Sequence, residues 1–144
     1  MIHRLLVVAA VSLTLPGWRL SPPPDDLAAF AKQQKMQTNV VQGDFDDDGV
    51  RDTAVLLLAP ADGKSVQYIA VCLARKAGPE LLLIRDPYCG DGIDVSPKGA
   101  KSYDFQASRE ITYPADGVNA MCFEKASGTY LYKGGRFELI VDGD

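Results

Sequence analysis

One run of nine residues constrains this chain more than any other: Asp44-Phe45-Asp46-Asp47-Asp48-Gly49-Val50-Arg51-Asp52. Five of the nine are carboxylates and one is basic, which leaves a local charge of −4. A short loop carrying that much like charge repels itself. It must therefore either stay open to solvent as an acidic turn or gather round a cation. The spacing favours the cation. Positions 1, 3, 5 and 9 place Asp44, Asp46, Asp48 and Asp52 round one centre, and the backbone carbonyl of Val50 at position 7 supplies a further oxygen. Ca²⁺ takes six to eight such oxygens at about 2.3–2.6 Å from a flexible loop. Gly49, at position 6, permits the sharp turn that brings the chain back. A further alternative is a degenerate loop that keeps the turn geometry but binds Ca²⁺ only at about millimolar levels, as extracellular modules can.

The run is similar to an EF-hand loop as far as position 9 and then departs from it. Position 12 is Val55 rather than the bidentate Glu, and a β run follows where a helix would stand. With Gly43 before it and Thr53-Ala54-Val55 after it, the segment resembles the calcium loop of FG-GAP or VCBS-type repeats. Their pattern is roughly G-D-F-[DN]-G-D-G-x-x-D-[LIV]-A-V. Gly43, Asp44, Phe45, Asp46, Asp48, Gly49, Asp52, Ala54 and Val55 match it, whereas Asp47 replaces a glycine and Thr53 an aliphatic residue. The resemblance covers about 14 residues in a single copy. It implies a loop that joins two strands and binds Ca²⁺. The chain also resembles small exported bacterial proteins that carry one such loop at the edge of a compact β domain.

A propeller of such repeats is excluded by length. It needs at least four blades of about 40 residues each, and the chain has 144 residues. That length suits one domain, and a composition 47% hydrophobic and 24% charged is ordinary for a globular chain. The net charge is −4 and no basic stripe is present, so nucleic acid is not an expected partner.

The first twenty residues differ from the rest. Met1-Ile2-His3-Arg4 is a basic start, Leu5 to Leu15 is apolar apart from Ser12 and Thr14, and Pro16-Gly17 ends the run. Eleven residues cannot span a bilayer core of about 30 Å, but they suit a signal peptide. Residues 1–20 are therefore expected to be a signal peptide or, if uncleaved, an N-terminal membrane anchor. Residues 21–144 are expected to form the single globular domain of an exported protein, periplasmic or secreted. Export permits a disulfide among Cys72, Cys89 and Cys122. Cys72 reads as a buried small hydrophobe, which favours Cys89–Cys122. Without a C-x-x-C pair, and with His3 the only histidine, a structural zinc is not expected.

Along the rest of the chain, Asp25 or Asp26 is expected to cap a helix running to about Gln34, with Leu27, Phe30 and Ala31 on one face. Short strands follow. Thr53–Ala59 is apolar enough for burial on both faces, and Pro60-Ala61-Asp62-Gly63 is a turn. Val66–Ala74 and Glu80–Arg85 are the next strands. Residues 86–108 read as a long connection with one small strand at Gly92–Val95. Pro114-Ala115-Asp116-Gly117 is another turn, and Val118–Glu124 a strand. Thr129–Tyr132 and Phe137–Val141 form a hairpin about Gly134-Gly135, where both residues can take positive φ. Alternation in the last strand buries Phe137, Leu139 and Val141. The fold class expected is α+β, mainly β: a small antiparallel sheet domain with one short N-terminal helix.

Catalytic motifs are lacking. Without a histidine in the working domain the usual Ser-His-Asp and Cys-His arrangements are excluded, and neither a nucleophile elbow nor a phosphate loop occurs. Glu80, Glu110, Glu124 and Glu138 are isolated, so a carboxylate-based hydrolase is the least favoured reading. Gly90-Asp91-Gly92-Ile93-Asp94 carries only two carboxylates and reads as a solvated loop rather than a second cation site. The expected function is a non-enzymatic, monomeric domain with a structural Ca²⁺ that binds a protein or glycan. The alternative is an inhibitor or immunity-type protein of a secreted or envelope hydrolase. Tyr88, Tyr103 and Tyr113 are the expected contact residues.

Overall fold

A computed structural model describes residues 17–87, 90–122 and 126–143. Among the described residues the fold is mainly β with one helix, and all strand pairs are antiparallel. In order the elements are β1 (Arg19–Leu20), α1 (Asp25–Gln34), β2 (Val40–Gly43), β3 (Asp52–Ala61), β4 (Lys64–Leu73), β5 (Glu80–Arg85), β6 (Gly92–Ser96), β7 (Lys101–Asp104), β8 (Arg109–Thr112), β9 (Gly117–Met121), β10 (Ser127–Lys133) and β11 (Arg136–Gly143). One sheet runs β1-β3-β4-β5, with β2 also paired to β3, and a second runs β11-β10-β9-β6. Strands β7 and β8 form a separate hairpin.

The two large sheets share one core. Val41, Ala54, Leu56, Ile69, Val71 and Leu73 from the first meet Ile93, Val118, Ala120 and Tyr130 from the second. Strand β3 is buried on both faces, as its apolar run requires. Ala54 and Leu56 face that core, while Val55 and Leu57 join Ala70 in a smaller cluster on the outer face under Trp18 and Val40. Burying each such aliphatic side chain contributes about 1.5–3 kcal/mol, which makes β3 the centre of the fold.

The turns follow local chemistry. Strands β3 and β4 pair from Thr53↔Cys72 to Ala61↔Lys64 and turn through Asp62-Gly63, whose φ angles of 46° and 76° are both positive. The strand thus includes Pro60 and Ala61, and the turn is shorter than the four residues expected. Gly134 and Gly135 have φ of 57° and 93° and close the β10–β11 hairpin as expected. Phe137 and Leu139 pack on the shared core.

Several expectations are corrected. The helix spans Asp25–Gln34, but Pro24 is its N-cap residue, and Asp25 and Asp26 lie in the first turn, where their charge suits the helix dipole. Leu27 and Ala31 are buried, yet Phe30 is 48% exposed. Residues 86–108 hold strands β6 and β7 rather than a single small strand, and β8 pairs with β7 from Lys101↔Thr112 to Asp104↔Arg109. Cys72 is a half-buried free thiol on the outer face, opposite Thr53 and Leu81. Cys122 is disulfide-bonded. Its expected partner Cys89 lies outside the described residues, as do Tyr88, Glu124 and residues 1–16 of the expected leader. Residues 17–20 belong to the fold: Trp18 packs on Tyr68 at 4.7 Å between ring centroids, and Arg19 and Leu20 pair with Leu58 and Leu57. Among the described residues no helix is long and apolar enough to cross a membrane.

Candidate metal centre

The acidic run is the connection between β2 and β3, which pair from Val40↔Val55 to Gly43↔Asp52. Phe45 holds this loop to the body of the protein, since its side chain is fully buried in the shared core. Gly43 makes room for it: a Cβ there would stand 2.8 Å from the Phe45 ring and 3.1 Å from an Asp116 oxygen. Two loop residues have positive φ, Asp47 at 59° and Gly49 at 84°. Glycine takes that conformation without cost, and aspartate is among the few other residues that tolerate it.

The loop is then wound on its own carboxylates. Asp44 accepts the N–H groups of Asp48 at 3.1 Å and Gly49 at 2.9 Å. Asp46 accepts Asp48 N–H at 3.3 Å, and Asp48 accepts Val50 N–H at 2.8 Å. These bonds curl the backbone so that Asp44, Asp46 and Asp48 each offer an oxygen within 4.8 Å of the others, a group that can hold a metal ion. Hard anionic oxygens of this kind suit a divalent cation such as Ca²⁺ or Mg²⁺ better than a soft metal. It is the only such group among the described residues, and Gly90–Asp94 contributes none. Val50 lies beside the group and lines, with Asp46, Asp48, Arg75, Lys76 and Tyr132, an open cavity of about 420 Å³.

Asp52 stands apart from those three. It is 1% exposed, and its oxygens accept Phe45 N–H and Ala74 N–H, both at 2.8 Å. It thus ties the start of the loop to the end of β4. Burial raises its carboxyl to about 6, against the two backbone donors that lower it, and the charges of Asp46 and Asp48 raise it further. Burial also raises Asp46, opposed by its bond to Arg75 and reinforced by the charge of Asp48. Each oxygen of Asp52 retains a second lone pair, so its structural bonds do not exhaust its capacity as a ligand.

Three residues that the sequence reading did not single out as site residues complete the surroundings. Asp116 accepts Asp44 N–H at 2.9 Å and Lys98 N–H at 2.8 Å, fixing the loop to the turn before β9. Lys98 Nζ lies 2.8 Å from Asp47 in an exposed ion pair. Arg75 Nε lies 3.3 Å from Asp46, while its other nitrogens reach Glu80 at 2.6 Å and the Tyr132 hydroxyl at 2.6 Å. The only sequence signal for Asp116 was its place in a turn motif, which says nothing of a partner 72 positions away.

The expected contact tyrosines divide. Tyr103 is 40% exposed and stacks edge-on with Phe105, itself 48% exposed, at 5.1 Å. Tyr113 is buried and donates its hydroxyl to Asp142, so it is not a contact residue. Comparison of the chain with protein-family models, curated proteins and solved structures finds no match.

Proposed function

We propose that the protein is an exported, non-enzymatic domain whose Asp44–Asp52 loop takes Ca²⁺ as a structural ion, and that its surface binds a protein or glycan. The observation that carries this reading is the convergence of Asp44, Asp46 and Asp48 over a turn already wound by their own hydrogen bonds. Val50, through its carbonyl, and Asp52 complete the proposed ligand set. Ca²⁺ is favoured over Mg²⁺ because a flexible loop of mixed oxygen ligands meets its irregular, high coordination, whereas Mg²⁺ demands a near-ideal octahedron. The bound ion would offset the repulsion among the loop carboxylates and fix the entry into β3. The exposed Tyr103–Phe105 pair supports a contact surface on the β7–β8 hairpin.

Calorimetric titration of the chelator-stripped protein with Ca²⁺ tests the metal assignment. One site is expected, with Mg²⁺ binding at least about tenfold more weakly. No heat up to millimolar Ca²⁺, or equal affinity for Mg²⁺, contradicts it. For the surface, Y103A and F105A are expected to weaken capture of a glycan or protein ligand while leaving Ca²⁺ binding unchanged.

A further inference from the structure

Two cations already sit at the loop, Lys98 on Asp47 and Arg75 on Asp46, and of the two Arg75 is the one bonded to a proposed metal ligand. Its guanidinium sits at the junction of β4, β5 and β10. Nε donates to Asp46 at 3.3 Å, one terminal nitrogen pairs with Glu80 at 2.6 Å, and the other donates to Tyr132 Oη at 2.6 Å. The Tyr132 ring also lies 5.6 Å below the guanidinium carbon. The side chain of Asp46 is only 5% exposed and that of Arg75 35%, so this pair is screened less by water than the more exposed Lys98–Asp47 pair. Arg75 also lines the open cavity beside Asp46, Asp48 and Val50. A divalent ion held by Asp46 must therefore share that carboxylate with the Arg75 guanidinium, whose Nε lies 3.3 Å from it.

We infer that Arg75 is a positioning residue that sets the affinity of the loop for its metal ion: it neutralises Asp46 in the metal-free protein and competes with the incoming cation for it. This inference rests on the metal reading proposed above. The competition has two consequences. The loop keeps its shape without metal, because Arg75 supplies part of the missing positive charge. The site is also held to weak affinity, suited to a compartment rich in the ion, because each binding event works against the guanidinium. Glu80 and Tyr132 determine how strongly Arg75 can compete, since they hold it in place and share its charge.

The test is a Ca²⁺ titration of the full chain and of R75Q, R75K and E80Q, with the melting temperature of each measured in chelator. R75Q is expected to bind Ca²⁺ about tenfold more tightly than the wild type and to melt lower without metal. R75K keeps the charge and should stay within about threefold of the wild type. E80Q leaves Arg75 less compensated and should weaken Ca²⁺ binding. A purely structural Arg75 would lower the melting temperature of R75Q with unchanged or weaker Ca²⁺ affinity, and that result overturns the inference. Should R75Q not fold, E80Q decides: unchanged or tighter Ca²⁺ binding refutes the competition. If the wild type binds no Ca²⁺ but R75Q does, the competition stands and the calcium reading of the native protein falls. If neither binds, both fall.

Discussion

Asp52 is the residue whose loss should be felt most, with or without metal. Replacing it by alanine removes the acceptors for Phe45 N–H and Ala74 N–H and leaves one buried and one part-buried backbone donor without partners. An unsatisfied buried donor costs about 1–3 kcal/mol, and the part-buried one, which water can reach, costs less, so the two together cost about 2–4 kcal/mol. Part of this is returned, because the buried carboxylate that is removed was itself unfavourable: burial is the first cause of its raised pKa. A net loss of about 1–3 kcal/mol is expected, a sizeable share of the total for a domain of this size. The assay is urea unfolding in excess chelator, where no ligand can contribute. Asp48→Ala is the control. Asp48 is exposed and holds only Val50 N–H within its own loop, so its loss should cost less than about 1 kcal/mol under the same conditions. A loss below about 1 kcal/mol for Asp52→Ala, or one no larger than that of Asp48→Ala, would refute the view of Asp52 as the tie between loop and sheet.

Other outcomes follow from the same structure. In chelator, stability should fall as pH rises from about 4 to about 6. The Asp52 carboxyl is raised from 3.8 to about 6 in the folded protein, so over that window the folded state binds the extra proton. The favourable contribution is complete below the unfolded value and is lost through the folded one, by about 1–2 kcal/mol once solvent screening is allowed for. Comparing wild-type and Asp52→Asn unfolding across that range checks this, since the amide does not titrate; parallel curves would contradict it. Asp48→Ala should abolish any Ca²⁺-induced rise in melting temperature while barely changing the melt in chelator; equal losses in both conditions would count against a metal role. Gly117→Ala should destabilise by about 1–3 kcal/mol by overpacking, because a Cβ there would stand 2.4 Å from Thr129 and 2.9 Å from Leu131; thermal melts measure it.

Much of this fold was legible in local chemistry. Thr53-Ala54-Val55-Leu56-Leu57-Leu58-Ala59 announced a strand buried on both faces, and Gly134-Gly135 announced its turn. The loop was legible for the same reason: Asp44, Asp46 and Asp48 act on backbone groups two to five residues away. What the sequence hid depends on distant partners. Strands β7 and β8 carry mostly polar residues, so no apolar alternation marks them. The split into two sheets is set by pairings such as Asp94↔Asn119, which no local pattern encodes. Phe30 was placed inside by helical spacing, yet the buried stripe of α1 is narrow enough to leave it half in solvent. Tyr113 was placed outside because it sits beside a turn, but Asp142 draws its hydroxyl inward. Arg75 gave no sign at all, since its meeting with Asp46 and Tyr132 exists only once both sheets have formed.

The most direct measurement of the central claim is the melting curve of the full chain in excess EDTA and then in rising Ca²⁺ or Mg²⁺. An ion that binds only the folded state at a hundredfold excess over Kd stabilises it by about 2.7 kcal/mol. A clear rise in Tm with Ca²⁺, and little with Mg²⁺, is the expected result. An unchanged Tm up to millimolar Ca²⁺ would mean that Asp44, Asp46 and Asp48 shape a turn and nothing more.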